Sequence, residues 1–283
     1  MRRRTKTTTM SLVLDAIHID CATDPRVAFY RDIRERDLSA REGVFIGETM
    51  VVLQAMLTRS DAIVSVLASA RMLERVRELL QNAGCAAILY TASDATIEEL
   101  TGIDLHRGVL AVGQRAPFEP IALRDYMPTT PPRTVLVADD INNIDNIGQL
   151  FRISAAFAVD AVLLSPTCHD PLYRKSLRVS TGNALKVPSI RASNWPHDLA
   201  EFCARFELTL IATAIQSSVP LQTITPPARV AIVVGNESDG VCPEVRAIAQ
   251  HVVRIPMAAG VDSLNVAVSA AIALERFSQG IRG

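Results

Sequence analysis

Cysteine is sparse and scattered in this chain. Its five cysteines, Cys21, Cys85, Cys168, Cys203 and Cys242, are odd in number, widely spaced and free of any CxxC pair. That pattern excludes a disulfide framework and a zinc knuckle, and it fits a reducing compartment. Cys242 adjoins a motif-like loop, where a small buried hydrophobe is the expected role. Long apolar runs are also lacking. The longest uncharged apolar stretch, 263–274, is too short to span a bilayer. The opening MRRRTKTTTMSLVLDAI starts like a signal peptide, but Asp15 breaks its apolar part after a few residues. Residues 1–20 read as a flexible basic tail, with no membrane contact and a cytoplasmic location expected. Net charge is nearly absent, at −1. Nucleic-acid binders are often basic overall, so this counts mildly against one. The distribution of charge matters more than its sum. None of His18, His106, His169, His197 and His251 forms a pair at helical ligand spacing, and no metal is expected. GxGxxG, a Lys-Ser/Thr phosphate loop and GxSxG are missing as well. Their absence counts against a dinucleotide-dependent oxidoreductase and against a nucleophile-elbow hydrolase. No internal repeat or low-complexity tract appears.

What is present is an ordinary globular balance. The 283 residues are 49% hydrophobic and 21% charged, enough for one large or two ordinary domains. Short β-branched runs alternate with helical patterns over 43–113: VFIG, IVSVL, AAILY and VLAVG, with helices expected near 48–57, 70–82 and 94–100. Such alternation predicts a small α/β layer domain. Segment 116–133 then carries Pro117, Pro120, Pro128, Pro131 and Pro132. Proline at that density blocks ladder and helix alike, so a linker is expected at 120–133, between domains at 21–119 and 134–283. The second half resumes the rhythm with TVLVAD, DAVLL, LTLIAT, ARVAIVVG and VVRIP, and with helices near 146–157 and 263–277. Polar loops after parallel strands are where such folds bind ligands.

Three of those loops carry unusual residues. In NIDNIGQLFR, 143–152, Asn146 is a candidate cap, Gly148 lets another backbone come close, and Arg152 lies about two turns along. This suits an anion or an oxygen; a capped helix with a surface arginine is the plainer alternative. In VVGNESDGV, 233–241, Gly235 and Gly240 permit sharp turns and close ligand approach. Glu237 and Asp239 repel phosphate and favour a neutral or cationic ligand, against the plainer reading of a tight βα turn. In IPMAAGVDSLNVAVSAA, 255–271, Ser263 is the expected cap and Asn265 sits in the first turn, unless this is merely a capped core helix. Segment 171–191 adds Arg174, Lys175, Arg178, Lys186 and Arg191 with no acid. It reads either as a solvated helix face or as an anion or RNA surface.

Taken in order, the stretches N-x-x-N-x-G-x-x-x-R (143–152), GNE-x-x-G (235–240) and IPM followed by S-L-N-V (255–266) resemble the SpoU/TrmH family of RNA ribose methyltransferases, in the SPOUT superfamily. The resemblance covers about 134–283. Residues 43–113 resemble, more loosely, the small ribosomal-protein-like domain that often precedes that catalytic domain and helps bind RNA. The resemblance implies an α/β domain with a trefoil knot, S-adenosylmethionine as cofactor, a homodimer, and a ribosomal or transfer RNA substrate methylated at a ribose 2′-hydroxyl. Asn146, Arg152, Glu237, Ser263 and Asn265 match the family's functional polar positions, with Arg152 as the catalytic arginine. Gly235, Ile255 and Leu264, and more weakly Thr213, match positions that hold the cofactor. Arg178 resembles an RNA-facing position, and Arg174 and Lys175 are expected to share that surface. Many relatives have proline after the first asparagine, where this chain has Ile144; loop stiffness changes, but no reacting group is lost. A non-catalytic RNA-binding or assembly factor with the same fold is the alternative. The intact polar set argues against it.

Overall fold

Buried β-branched runs become the central strands of this chain. A computed structural model describes residues 14–33, 43–103, 108–216, 218–258, 260 and 263–278. The chain divides into two compact units, Met1–Pro117 and Phe118–Gly283.

In the first unit the strands are β1 (Ile17–His18), β2 (Val44–Glu48), β3 (Ile63–Ser69), β4 (Ile88–Ala92) and β5 (Val109–Gln114). They form one mixed sheet in the order β1-β4-β3-β5-β2. Strand β4 lies parallel to β1 and β3, while β5 runs antiparallel to β3 and β2. Helices α1 (Met50–Met56), α2 (Leu73–Asn82) and α3 (Asp94–Thr101) connect them. Ser93 caps α3 through Thr96 N–H, and Gly102, at φ +69°, ends it. Of the expected flexible tail, 1–13 lies outside the described residues, and Ile17 and His18 pair with Tyr90 and Thr91 as a short strand.

The second unit holds one all-parallel sheet in the order β11-β13-β10-β12-β7-β8-β9-β6. Its strands are β6 (Ile121–Ala122), β7 (Thr134–Asp139), β8 (Ala161–Leu164), β9 (Ser189–Arg191), β10 (Thr209–Thr213), β11 (Val219–Pro220), β12 (Val230–Gly235) and β13 (His251–Arg254). Every residue of β7, β8 and β12 is buried, as expected of parallel strands covered on both faces. Helices α4 (Ile144–Ala156), α5 (Arg174–Val179), α6 (His197–Phe206), α7 (Pro243–Ile248) and α8 (Val266–Phe277) complete the unit. Helix α8 packs on β12 and α4.

The proline-rich segment expected as a linker takes part in this unit. Between Pro120 and Pro128, Ile121 and Ala122 pair with Ile190 and Arg191 at the sheet edge. Tyr126 packs on Phe202 and Phe206, with ring centroids 5.9 and 6.0 Å away. Proline bars a central ladder but not a two-residue edge strand between prolines. Among the described residues, no helix is long and apolar enough to cross a membrane.

Candidate active site at the carboxyl edge of the parallel sheet

Strands β13, β10, β12 and β7 are adjacent and parallel, so Arg254, Thr213, Gly235 and Asp139 end on one edge. The chain leaves β7 towards β8 and β9 on one side, and later lays β12, β10 and β13 on the other. The β7/β12 border is therefore the place where the winding reverses, which is where open α/β sheets hold ligands.

At that border the loops lock together. Asp139, 2% exposed, accepts from the Cys242 N–H at 2.8 Å. Asp140 takes a left-handed φ of +56°. Its backbone N–H donates to Ser165 Oγ at 2.9 Å, and Asn236 Nδ2 donates to its carbonyl at 2.9 Å and to its Oδ2 at 3.2 Å. The β12 loop then folds back on itself. The Gly240 N–H donates to the Asn236 carbonyl at 2.9 Å, with Gly240 at φ +71°. A Cβ on Gly235 would lie 2.1 Å from the backbone of Gly240 and Val241. The missing side chain thus serves the closure of the loop itself, which presents Glu237.

Helix α4 begins one turn earlier in its polar run than expected. Asn143 is the cap: its Oδ1 accepts from the N–H groups of Asp145, at 2.8 Å, and Asn146, at 3.1 Å. This correction matters, because it leaves the buried Asn146 amide available elsewhere. Asn146 Nδ2 donates to Glu237 Oε1, and Asn265 Nδ2 donates to Asn146 Oδ1 at 3.0 Å. Asn265, not Ser263, caps α8, and its Oδ1 accepts from the Ala267 N–H at 2.8 Å. The helix starts at Val266, too far from Ser263 for that hydroxyl to reach its first amides. A carboxylate only accepts, so Glu237 sets the direction of the whole chain: Asn146 must offer its NH₂, and Asn265 must offer its own to Asn146. Three motifs up to 119 residues apart thus meet in one directed hydrogen-bond chain.

Other residues stand apart from that chain. The Arg152 side chain is exposed and makes no hydrogen bond or ion pair with another described residue; the same holds for the Ser263 side chain. Ile255 and Leu264 are half-buried beside the ends of β13 and the start of α8, and Thr213 Oγ1 donates to the Val233 carbonyl at 2.9 Å. Lys175 pairs with Asp145 at 2.7 Å, both half-exposed, and so braces α5 on α4. Gly148 allows that packing, because a Cβ there would lie 2.8 Å from the Ser176 carbonyl oxygen. Arg191 is committed to the loop after β8: its guanidinium reaches the carbonyls of Ser165, Cys168 and His169 at 3.2, 3.0 and 3.4 Å. Asp262 lies outside the described residues. Among the described residues, His197, Asp198 and Glu201 place possible ligand atoms within 4.8 Å of one another. They sit at the start of α6, where Asp198 already accepts from the Ser193 and Asn194 amides.

Sequence reasoning passed over Asp139 and Asp140 and gave no role of their own to Asn143 and Asn236, which it met only as motif positions. The available signals were an acidic pair ending a buried strand and the asparagine near the start of the first two polar loops.

The fold and this edge define a class, a parallel α/β domain that gathers polar groups from three loops where its winding reverses. Residues 133–275 match the SpoU rRNA methylase family. An uncharacterized tRNA/rRNA methyltransferase of Mycobacterium bovis is 35% identical over 94% of this chain and 93% of its own. A 23S rRNA (guanosine-2′-O-)-methyltransferase of Acinetobacter baylyi is 29% identical over 71% of this chain and 82% of its own. The fold matches the structure of an S-adenosylmethionine-bound rRNA methyltransferase from Sinorhizobium meliloti, with a TM-score of 0.78 and 22% identity, covering 92% of this chain and 97% of that one. The chain belongs to the SpoU rRNA methylase family, and it is an RNA methyltransferase.

Proposed function

We propose that this protein transfers a methyl group from S-adenosylmethionine to a ribose 2′-hydroxyl in structured ribosomal or transfer RNA. The observation that carries the reading is the directed chain Asn265–Asn146–Glu237 at the β7/β12 border. It joins the three motifs in one rigid polar wall. Thr213, Gly235, Ile255 and Leu264 would hold the cofactor. They combine strand-end backbone with half-buried apolar side chains and include no cation, a donor set suited to a nucleoside and not to a phosphate. Bound there, the cofactor supplies a methyl group already activated on a sulfonium.

The protein's share is alignment and electrostatics. A ribose hydroxyl gains negative charge as its proton leaves, and the Arg152 guanidinium stabilises that charge as an aimed donor. A guanidinium is a poor proton acceptor, so Arg152 is the donor and not the base, and a nearby RNA phosphate or a water takes the ribose proton. Glu237 and Asn265 keep Asn146 oriented, and Ser263 positions the ribose. Six residues of helix turn a side chain by roughly 240°. Arg152 therefore lies about 120° around α4 from Asn146 of its own chain, and in a homodimer it would act at a partner's site. Arg174, Lys175 and Arg178 would contact RNA phosphates. The trefoil knot, the RNA-binding role of the ribosomal-protein-like first unit and the cytoplasmic setting complete the reading.

Tritiated methyl transfer to total RNA from cells lacking the protein tests it. Arg152→Ala should lose about 10²-fold or more in rate, as expected for an aimed charge-stabilising donor, while calorimetric S-adenosylmethionine binding stays intact. Near-normal turnover with intact binding would remove Arg152 from the mechanism.

A further inference from the structure

The loop after β8 carries a feature that the methyl-transfer chemistry does not use. His169 and Tyr173 are half-buried, with ring centroids 5.3 Å apart at an interplanar angle of 82°. In such an edge-to-face pair, the ring that offers its edge keeps both of its faces clear of the other ring. The loop is held from several sides. Arg191 draws in the carbonyls of Ser165, Cys168 and His169, the last at 3.4 Å, and Leu172, 1% exposed, anchors the turn into α5.

Its place in the fold is specific. The His169 backbone N–H donates to the Ile141 carbonyl at 2.9 Å, and Ser165 Oγ accepts from the Asp140 backbone N–H at 2.9 Å. Both ties run to the loop that leads into α4, where Asn146 is the middle link of the polar chain. Beyond Tyr173, Arg174, Lys175 and Arg178 follow on α5, with Lys175 paired to Asp145 and, between the two rings, Asp170 accepting from the Leu172 N–H at 2.9 Å. An aromatic pair on a fixed loop, flanked by cations along one helix, is the composition of a single-strand stacking platform. Cations track the backbone, and a ring takes a base without reading its edges.

We infer that His169 and Tyr173 form a stacking subsite for an unpaired RNA base close to the methylated nucleotide, with Arg174 and Arg178 on the adjoining phosphates. This rests on the RNA-methylation reading above. The subsite grips a splayed-out nucleotide beside the target and favours loops over helices, because duplex bases have no free face.

The test uses the full chain and a short single-stranded RNA carrying one 2-aminopurine, whose fluorescence is quenched when the base stacks. Wild type should bind and quench it at low salt. Tyr173→Leu should weaken binding by about 5- to 150-fold, the range for loss of one base–aromatic stack, and abolish the quench. Tyr173→Phe should restore both, because the Tyr173 hydroxyl makes no hydrogen bond with a described residue. His169→Ala should weaken binding too, and provides a second variant if Tyr173→Leu misfolds. The salt slope of these variants should match wild type, whereas neutralising Arg174 and Arg178 should flatten it. Wild type that leaves the probe unquenched overturns the inference. So does Tyr173→Leu that binds like wild type, or Tyr173→Phe that loses as much as Tyr173→Leu. Methyl transfer to total RNA, measured alongside, separates the outcomes: transfer without stacking removes the subsite alone, and absence of transfer removes the reading beneath it.

Discussion

Replacing Asn146 with aspartate strikes the directed amide chain at its middle link. The two side chains are isosteric, so packing is unchanged and only a donor becomes an acceptor. In the native protein Asn146 donates to Glu237 and accepts from Asn265 at 3.0 Å. The substitution removes the donor and sets two carboxylates face to face. Loss of a hydrogen bond to a charged group costs about 1.5–3 kcal/mol. Repulsion between charges 4 Å apart adds about 1 kcal/mol in water and about 4 kcal/mol near a less polar surface. Glu237 is exposed, so the lower figure applies. Together they predict a loss of about 2.5–4 kcal/mol, or a fall of roughly 5–16 °C in the Tm of the second unit. Facing carboxylates hold one proton between them, at a pKa above the unfolded value of about 4. The penalty is then absent below that value, grows as pH rises, and is complete above the raised pKa. Urea denaturation should accordingly show the deficit shrinking from about pH 8 to about pH 5. The double variant Asn146→Asp with Glu237→Gln reverses the bond, because the new amide donates to the new carboxylate, and it should recover most of the stability. A deficit that ignores pH, or a double variant no better than the single one, would refute the directed chain.

Other perturbations have equally definite outcomes. Gly235→Ala puts a Cβ 2.1 Å from the Gly240 and Val241 backbone; overpacking of that kind costs about 1–3 kcal/mol, so thermal melts should fall by roughly 2–12 °C, and an unchanged Tm would disprove the loop closure. Thiol labelling of the native protein at about pH 8 should modify the exposed Cys21 first and spare Cys85, Cys168 and Cys203 until denaturant is added. Burial pushes all three of those thiols up, Cys203 to about 12. Only the thiolate reacts, and at that pH it is on the order of one part in ten thousand for Cys203. Neutralising Arg174, Lys175 and Arg178 together should weaken RNA binding and reduce the salt slope by about 0.7–0.9 for each RNA phosphate left without its cation. An unchanged slope removes α5 from the RNA surface.

Much of this protein is legible in its sequence, because the signals are local. Buried runs such as TVLVAD and ARVAIVVG declare parallel strands through their own composition, and β7 and β12 follow them residue for residue or nearly so. The three polar loops stand out for the same reason: strand ends, glycines and capping residues are read over a few positions. What only the tertiary structure decided is which groups meet. Strand order places β12 beside β7 and β13 beside β10, although long segments separate them along the chain. Hence Asn143 rather than Asn146 caps α4, Asn146 is released to bridge Glu237 and Asn265, Arg191 is spent on internal carbonyls, and two residues between prolines complete a sheet edge. A side chain's partner is set by three-dimensional neighbours that compete for its donors and acceptors, and that competition has no period along the sequence.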